Sequence, residues 1–223
     1  MGVIDNVVDL RKKLGYSQEE IADKLGISRQ TYSKIENKES SLNMEQLEIL
    51  SRFFGIPAAE FFFVVENTEK FKQMYLYILK NFQECGLTKT KLAKLLYLVD
   101  FNHYYNYLEP MSGALYKCKE YGPLADSFLE MTDSLYEAGQ IKIDCLSMGA
   151  QMISIPSQLD DIDYDLLTKD DKKEIDDVCK KWADADTQTI VNFTHHQKPW
   201  MSCRLNEVIP YELILQEDPD HVY

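Results

Sequence analysis

The sequence predicts a mainly α protein in two parts: a five-helix domain over residues 1–65, then a mostly helical α+β domain over residues 66–223 with a small β-hairpin or sheet. Three observations lead there. Apolar residues recur at helical spacing through most of the chain. Ser, Thr, Asn and Gly punctuate that pattern where helices should start and stop. Strict apolar–polar alternation is confined to QIKID and QMISIP, either side of a Gly-containing turn. At 223 residues and 45% hydrophobic content, the chain holds enough apolar material for packed cores.

Ile4, Val7, Val8, Leu10 and Leu14 mark a first helix that ends at Gly15. Ser17 and Glu20 form a capping box for a second, with Ile21, Ala22 and Leu25 on its apolar side and Gly26 as its stop. Ser28 caps a third helix, in which Tyr32 and Ile35 point inward. Arg29, Gln30, Ser33, Lys34 and Asn37 then fall at i, i+1, i+4, i+5 and i+8, one polar stripe. On an isolated helix such a stripe is ordinarily a solvated face. On the second helix of a helix-turn-helix it suits the DNA major groove, where Arg pairs with guanine, Gln with adenine, and Lys with guanine or phosphate. Gln18, opening the preceding helix, joins these candidates. Asn43 and Gln46 cap a fourth helix, with Met44, Leu47, Leu50, Phe53 and Phe54 as its expected buried face and Gly55 as its stop. Pro57 opens a short fifth. The run FFFVV at 61–65 is expected partly to close this core and partly to face the second domain or a twofold mate.

The stretch QEEIADKLGISRQTYSKIEN resembles the Xre, or lambda-repressor-like, family. That resemblance implies a five-helix DNA-binding fold and a pairing of Arg11 with Glu36 that ties the first helix to the reading helix. The family usually has Gly after the position of Asn37, where this chain has Lys38. Asn37 tolerates a left-handed backbone and is expected to take over the turn.

Charge divides unevenly. Of the net −13, residues 1–65 contribute −2, from eight Lys/Arg and ten Asp/Glu, which leaves −11 for residues 66–223. An acidic body repels phosphate, so DNA binding is expected to rest on the local stripe and on a homodimer that doubles the contacts. The acidic part suits a protein partner better. The N-terminus MGVIDN lacks the basic and long apolar regions of a signal peptide, and no apolar run approaches the roughly 20 residues that span a bilayer. A cytoplasmic protein without a membrane anchor is expected. Cys85, Cys118, Cys145, Cys179 and Cys203 are widely spaced, with no C-x-x-C pair, and read as reduced thiols. Cys203 with His195 and His196 fits no standard zinc spacing, so no metal or other cofactor is expected.

In the second part a helix is expected from Thr68 to Gln83, with Phe71, Met74, Tyr75, Ile78, Leu79 and Phe82 inward. Thr88 caps KTKLAKLLYLVDFNHYYNYL, apolar on more than one side and the expected centre of the second core. Pro123 is expected at the first position of a helix carrying Leu124, Phe128, Leu129, Met131 and Leu135 and ending at Gly139. The hairpin follows, then an acidic stretch over residues 160–177 that opens a helix and reads as a solvated face. A last helical stretch, DTQTIVNFTHHQKPW, brings Thr194, His195 and Trp200 together.

Asp100, His103 and His195 could build an acid/base site, with Cys203 as a nucleophile, but nothing in their spacing compels it, and no catalytic residues are assigned. KLLYLVDFNHYYNY, Gly113 with Tyr116, Tyr121-Gly122-Pro123, and Thr194-His195 with Trp200 together resemble the SocA-like, or Panacea, antitoxin domain over nearly all of residues 68–215. The resemblance implies a domain that binds a cognate protein toxin and neutralises it by contact, without being an enzyme. Candidate toxin contacts are Asp100, His103 and Tyr121, which carry the resemblance, and Tyr104, Tyr105 and Tyr107, because interface centres favour aromatic residues. Gly122, Pro123, His195 and Trp200 carry the domain signature and read mainly as architecture. The expectation is an antitoxin that also represses its own operon. Alternatives are a phage-type or ligand-sensing repressor, and an enzyme with a DNA-binding module.

Overall fold

Helix caps written into the sequence set the elements of the first unit. The computed structural model describes residues 3–55, 66–146, 149–157 and 162–223, and the chain divides into two compact units, 1–65 and 66–223. The expected fifth helix at Pro57 and the role of residues 61–65 lie outside the described residues. The first unit holds α1 (Val3–Lys13), α2 (Gln18–Leu25), α3 (Arg29–Glu36) and α4 (Met44–Phe54). Both capping boxes form, at Ser17/Glu20 and Asn43/Gln46, and Gly26 and Gly55 close their helices in the left-handed conformation. Val7, Ile21, Ala22, Leu25, Tyr32, Leu47 and Leu50 make the core, with Tyr16, Phe53 and Phe54 clustered at its margin.

Three details differ from expectation. Leu14 and Met44 lie on the surface, 50% and 60% exposed, because each stands at a helix end where the buried stripe has turned away. The turn after α3 is made by Lys38 at φ 62°, while Asn37 keeps φ −81°. The hydrogen bonds decide which: Lys38 N–H donates to Ile35 O at 3.0 Å and Glu39 N–H to Lys34 O at 2.9 Å, so the left-handed position falls one residue beyond Asn37. A side chain there costs about 1 kcal/mol that glycine avoids. Lys38→Gly is therefore expected to stabilise the first unit by about 1 kcal/mol, read as a raised urea midpoint of its transition in the intact protein. A midpoint that stays or falls would disprove the strain.

In the second unit, α5 (Thr68–Asn81) and the short β1 (Leu87–Thr88) lead into α6 (Lys89–Tyr107). Residues 91–102 of α6 are all buried, as expected of the core's centre. Packed around α6 are α5, α8 (Lys169–Lys181), α9 (Thr187–His195), β3 (Gly122–Ala125) and a 3-10 segment, Tyr211–Gln216. The expected hairpin is β4 (Lys142–Cys145) with β5 (Gln151–Ser154); β1 extends it to an antiparallel sheet in the order β1-β5-β4.

A second hairpin was not anticipated. Gly122 and Pro123 lie in β3, paired with β2 (Tyr116–Lys119), and α7 (Phe128–Glu137) starts five residues after Pro123. Pro123 opposes Cys118, whose carbonyl accepts instead from Asn206 N–H at 2.6 Å, so the missing proline N–H costs the ladder little. Leu129 is consequently 48% exposed rather than core. The last helical stretch is two elements, α9 and α10 (Lys198–Met201).

Candidate functional site

One carboxylate organises the candidate nucleic-acid face. Glu36, the last residue of α3, accepts Arg11 Nε at 2.7 Å and Nη2 at 3.3 Å, and Gln18 Nε2 at 2.6 Å. Burial alone would raise the Glu36 pKa; the bonds from Arg11 and Gln18 outweigh it and hold the carboxyl below its ordinary value. Three helices are thereby pinned at one point, including the Arg11–Glu36 pair expected from the resemblance. The exposed side of α3 carries Arg29, Gln30, Lys34 and Asn37, with Ser33 half-buried. No acidic residue stands in the first turn of α3, so its positive dipole end is not offset there. Gln18 is placed beside this face with its amide nitrogen held by Glu36.

The candidate residues of the second unit separate into two groups. Asp100 is fully buried and accepts Ser112 N–H at 2.6 Å, Ser112 Oγ–H at 2.5 Å and Tyr116 O–H at 2.9 Å. Burial outweighs these bonds and raises its pKa. Asp100 thus lies inside the unit, where it anchors the loop between α6 and β2, and not on the surface expected of a toxin contact. His103 Nδ1 lies 2.6 Å from Glu174 Oε2, on α8, and the other carboxylate oxygen, Oε1, accepts Asn106 Nδ2 at 2.9 Å and also Asn102 Nδ2. His195 stacks on Trp200, ring centres 4.2 Å apart. Asp100, His103 and His195 are thus engaged with three different sets of neighbours rather than with one another. Tyr104 stacks on Tyr211 and Tyr105 is half-buried, leaving Tyr107 and Tyr121 as the exposed rings, at 58% and 69%.

The acidic stretch is only partly a solvated face. Asp171 is buried and pairs with Lys70 at 2.8 Å, and Glu174 collects the α6 amides, so both carboxylates pin α8 to the core. Among the described residues no cluster of three His, Cys, Asp or Glu could hold a metal ion, and no helix is long and apolar enough to cross a membrane. All five cysteines are free thiols; burial pushes Cys179 up to about 12.

Lys94 escaped sequence reasoning. It is 2% exposed on α6, and its Nζ donates to Pro123 O at 2.5 Å. A Cβ on Gly122 (φ 90°) would lie 2.9 Å from Lys94 Cε and 3.1 Å from Thr194 Oγ1. Gly122, Pro123 and Thr194 therefore form the wall of a lysine channel, and the architectural reading of Gly122-Pro123 acquires a cause. The available signal was Lys91 and Lys94 at i, i+3 in a helix without a polar face. Beside the channel, Lys89, Thr90, Lys119, Tyr121, Leu124 and Leu129 line a surface dent of about 180 Å³.

Burial lowers the Lys94 pKa to about 7. With the folded pKa below that of the free side chain, the unfolded chain holds the extra proton between about pH 7 and 10.5, so stability rises with pH across that window. The difference in unfolding free energy between the native protein and Lys94→Met is expected to grow by up to about 1.4 kcal/mol per pH unit from pH 7.5 to 9.5. A pH-independent difference would show Lys94 to be charged throughout.

Comparison with known proteins matches residues 8–61 to the helix-turn-helix family and residues 92–201 to the family described as antitoxin SocA-like, Panacea domain. The cryptic phage CTXphi transcriptional repressor RstR of Vibrio cholerae is 38% identical over 52 residues, 23% of this chain. Those residues span 47% of the relative, so the chain covers about half its length. No solved structure matches the chain. The chain thus carries, in succession, a match to the helix-turn-helix family and a match to the SocA-like, Panacea family.

Proposed function

We propose that the protein is an antitoxin of a type II toxin–antitoxin system, whose second unit binds and neutralises a protein toxin and whose first unit represses the operon that encodes both. The observation that carries this reading is the succession of the two matched domains in one chain. The arrangement of α2 and α3 supports the DNA role: Arg29, Gln30 and Lys34 form no side-chain hydrogen bond or ion pair among the described residues and stand ready for bases and phosphates. A homodimer would set two α3 helices in successive major grooves, about 34 Å apart, on a near-palindromic operator. Toxin and operator would then each shift the affinity for the other by the same factor. The match to a phage repressor favours a second reading, a repressor without a toxin, for the first unit alone.

Co-expression separates the two. The full chain should restore growth to cells poisoned by the product of the gene adjacent to its own, and continued arrest would refute neutralisation. Arg29→Ala should weaken binding to the promoter DNA by about 1–3 kcal/mol at fixed salt while leaving rescue intact. Unchanged DNA affinity would remove Arg29 from the reading face.

A further inference from the structure

We propose that the dent framed by the first turn of α6, the β2–β3 hairpin and the start of α7 is where the second unit receives its protein partner, taking one apolar side chain flanked by a carboxylate of that partner. The inference rests on the antitoxin reading above and names its surface. The dent is mainly apolar, with Leu124 and Leu129 in its lining and the exposed ring of Tyr121 beside them. Its volume of about 180 Å³ is on the scale of the roughly 150 Å³ that holds a benzene-sized group.

Charge selects the occupant. On a unit carrying −11, the described residues lining this dent include two lysines outside the core, Lys89 and Lys119, besides the buried Lys94, and no carboxylate. Lys119 Nζ is 2.8 Å from the neutral amide oxygen of Asn206, so its charge meets no acidic partner in this bond. The first turn of α6 also lacks an acidic residue, and Lys89 and Thr90 of that turn line the dent, adding the positive end of a helix dipole. The site therefore inverts the charge of the unit around it. It accepts an acidic-hydrophobic segment and repels the basic surface that the bulk charge would attract.

The test uses the intact chain and the purified product of the adjacent gene. Leu129→Glu and Lys119→Glu are each expected to weaken the complex at least tenfold and to abolish growth rescue. Leu129→Met, and Lys180→Glu in the groove at the ends of α5 and α8, should bind within about twofold of the native protein. If the native chain binds and both dent variants bind equally well, the dent is wrong and the antitoxin reading stands. If the native chain does not bind the product at all, both fall. If phenylacetate occupies the dent while the dent variants still bind the product normally, a small carboxylate is the occupant and the protein-docking proposal is overturned.

Discussion

The second unit depends on a helix that is buried throughout residues 91–102 and yet carries ionisable groups there. α6 takes Lys91, Lys94 and Asp100 into the interior, and each must be satisfied there because water is excluded. The rest of the unit supplies the partners. Lys91 donates to Ala183 O and Ala185 O after α8, Lys94 to Pro123 O in β3, and Asp100 accepts from Ser112 and Tyr116. Three connections are thereby fixed in space by one helix, and the loop, hairpin and helix ends follow from it. Tyr97, Phe101, Tyr116 and Tyr211 form an aromatic cluster in the same core, Phe101 stacked on Tyr211 and Tyr97 edge-on to Tyr116.

The first unit uses the same device more simply. Glu36 draws Arg11 and Gln18 to the end of α3, so the angle between α3 and its supporting helices is held by a partly buried, bidentate ion pair rather than by packing alone. The exposed face of α3 is left with residues whose only demand is solvent or a nucleic acid. In both units, then, charges inside set the geometry, and the surface beside them is available for recognition.

How much of this was legible follows from the range of each interaction. The helix-turn-helix was readable because its determinants are local: Ser17 with Glu20, Gly26, Ser28, and the inward pair Tyr32 and Ile35 lie within a few residues of the structures they cause. The fine point at Lys38 was missed because Asn has the better intrinsic tolerance of a left-handed turn, whereas the hydrogen-bond register of α3 chose the next residue. The long helix α6 and the β4–β5 hairpin were plain from periodicity. The β2–β3 hairpin was not, since Pro123 satisfies the rule for a helix start as well as that for a strand whose partner bonds elsewhere. Lys94, Asp171 and Glu174 were read as surface or passed over because charged residues are mostly exposed; only the contacts of sequence-distant elements reveal them as internal. For Asp100 the resemblance alone does not distinguish a contact residue from an internal one; its burial and its bonds to Ser112 and Tyr116 do.

The same bonds bear on the proposed antitoxin role, in which buried residues of the second unit build a scaffold and the partner is bound at its surface. Asp100→Asn tests it most directly. Placing an amide donor where three donors already converge should lower the unfolding free energy of the second unit by about 1.5–3 kcal/mol. At temperatures where the variant is still folded, its affinity for the adjacent gene's product should stay within about twofold of the native value. Unchanged stability together with loss of neutralisation by a protein that still binds would contradict the account, because it would assign Asp100 to chemistry rather than to architecture.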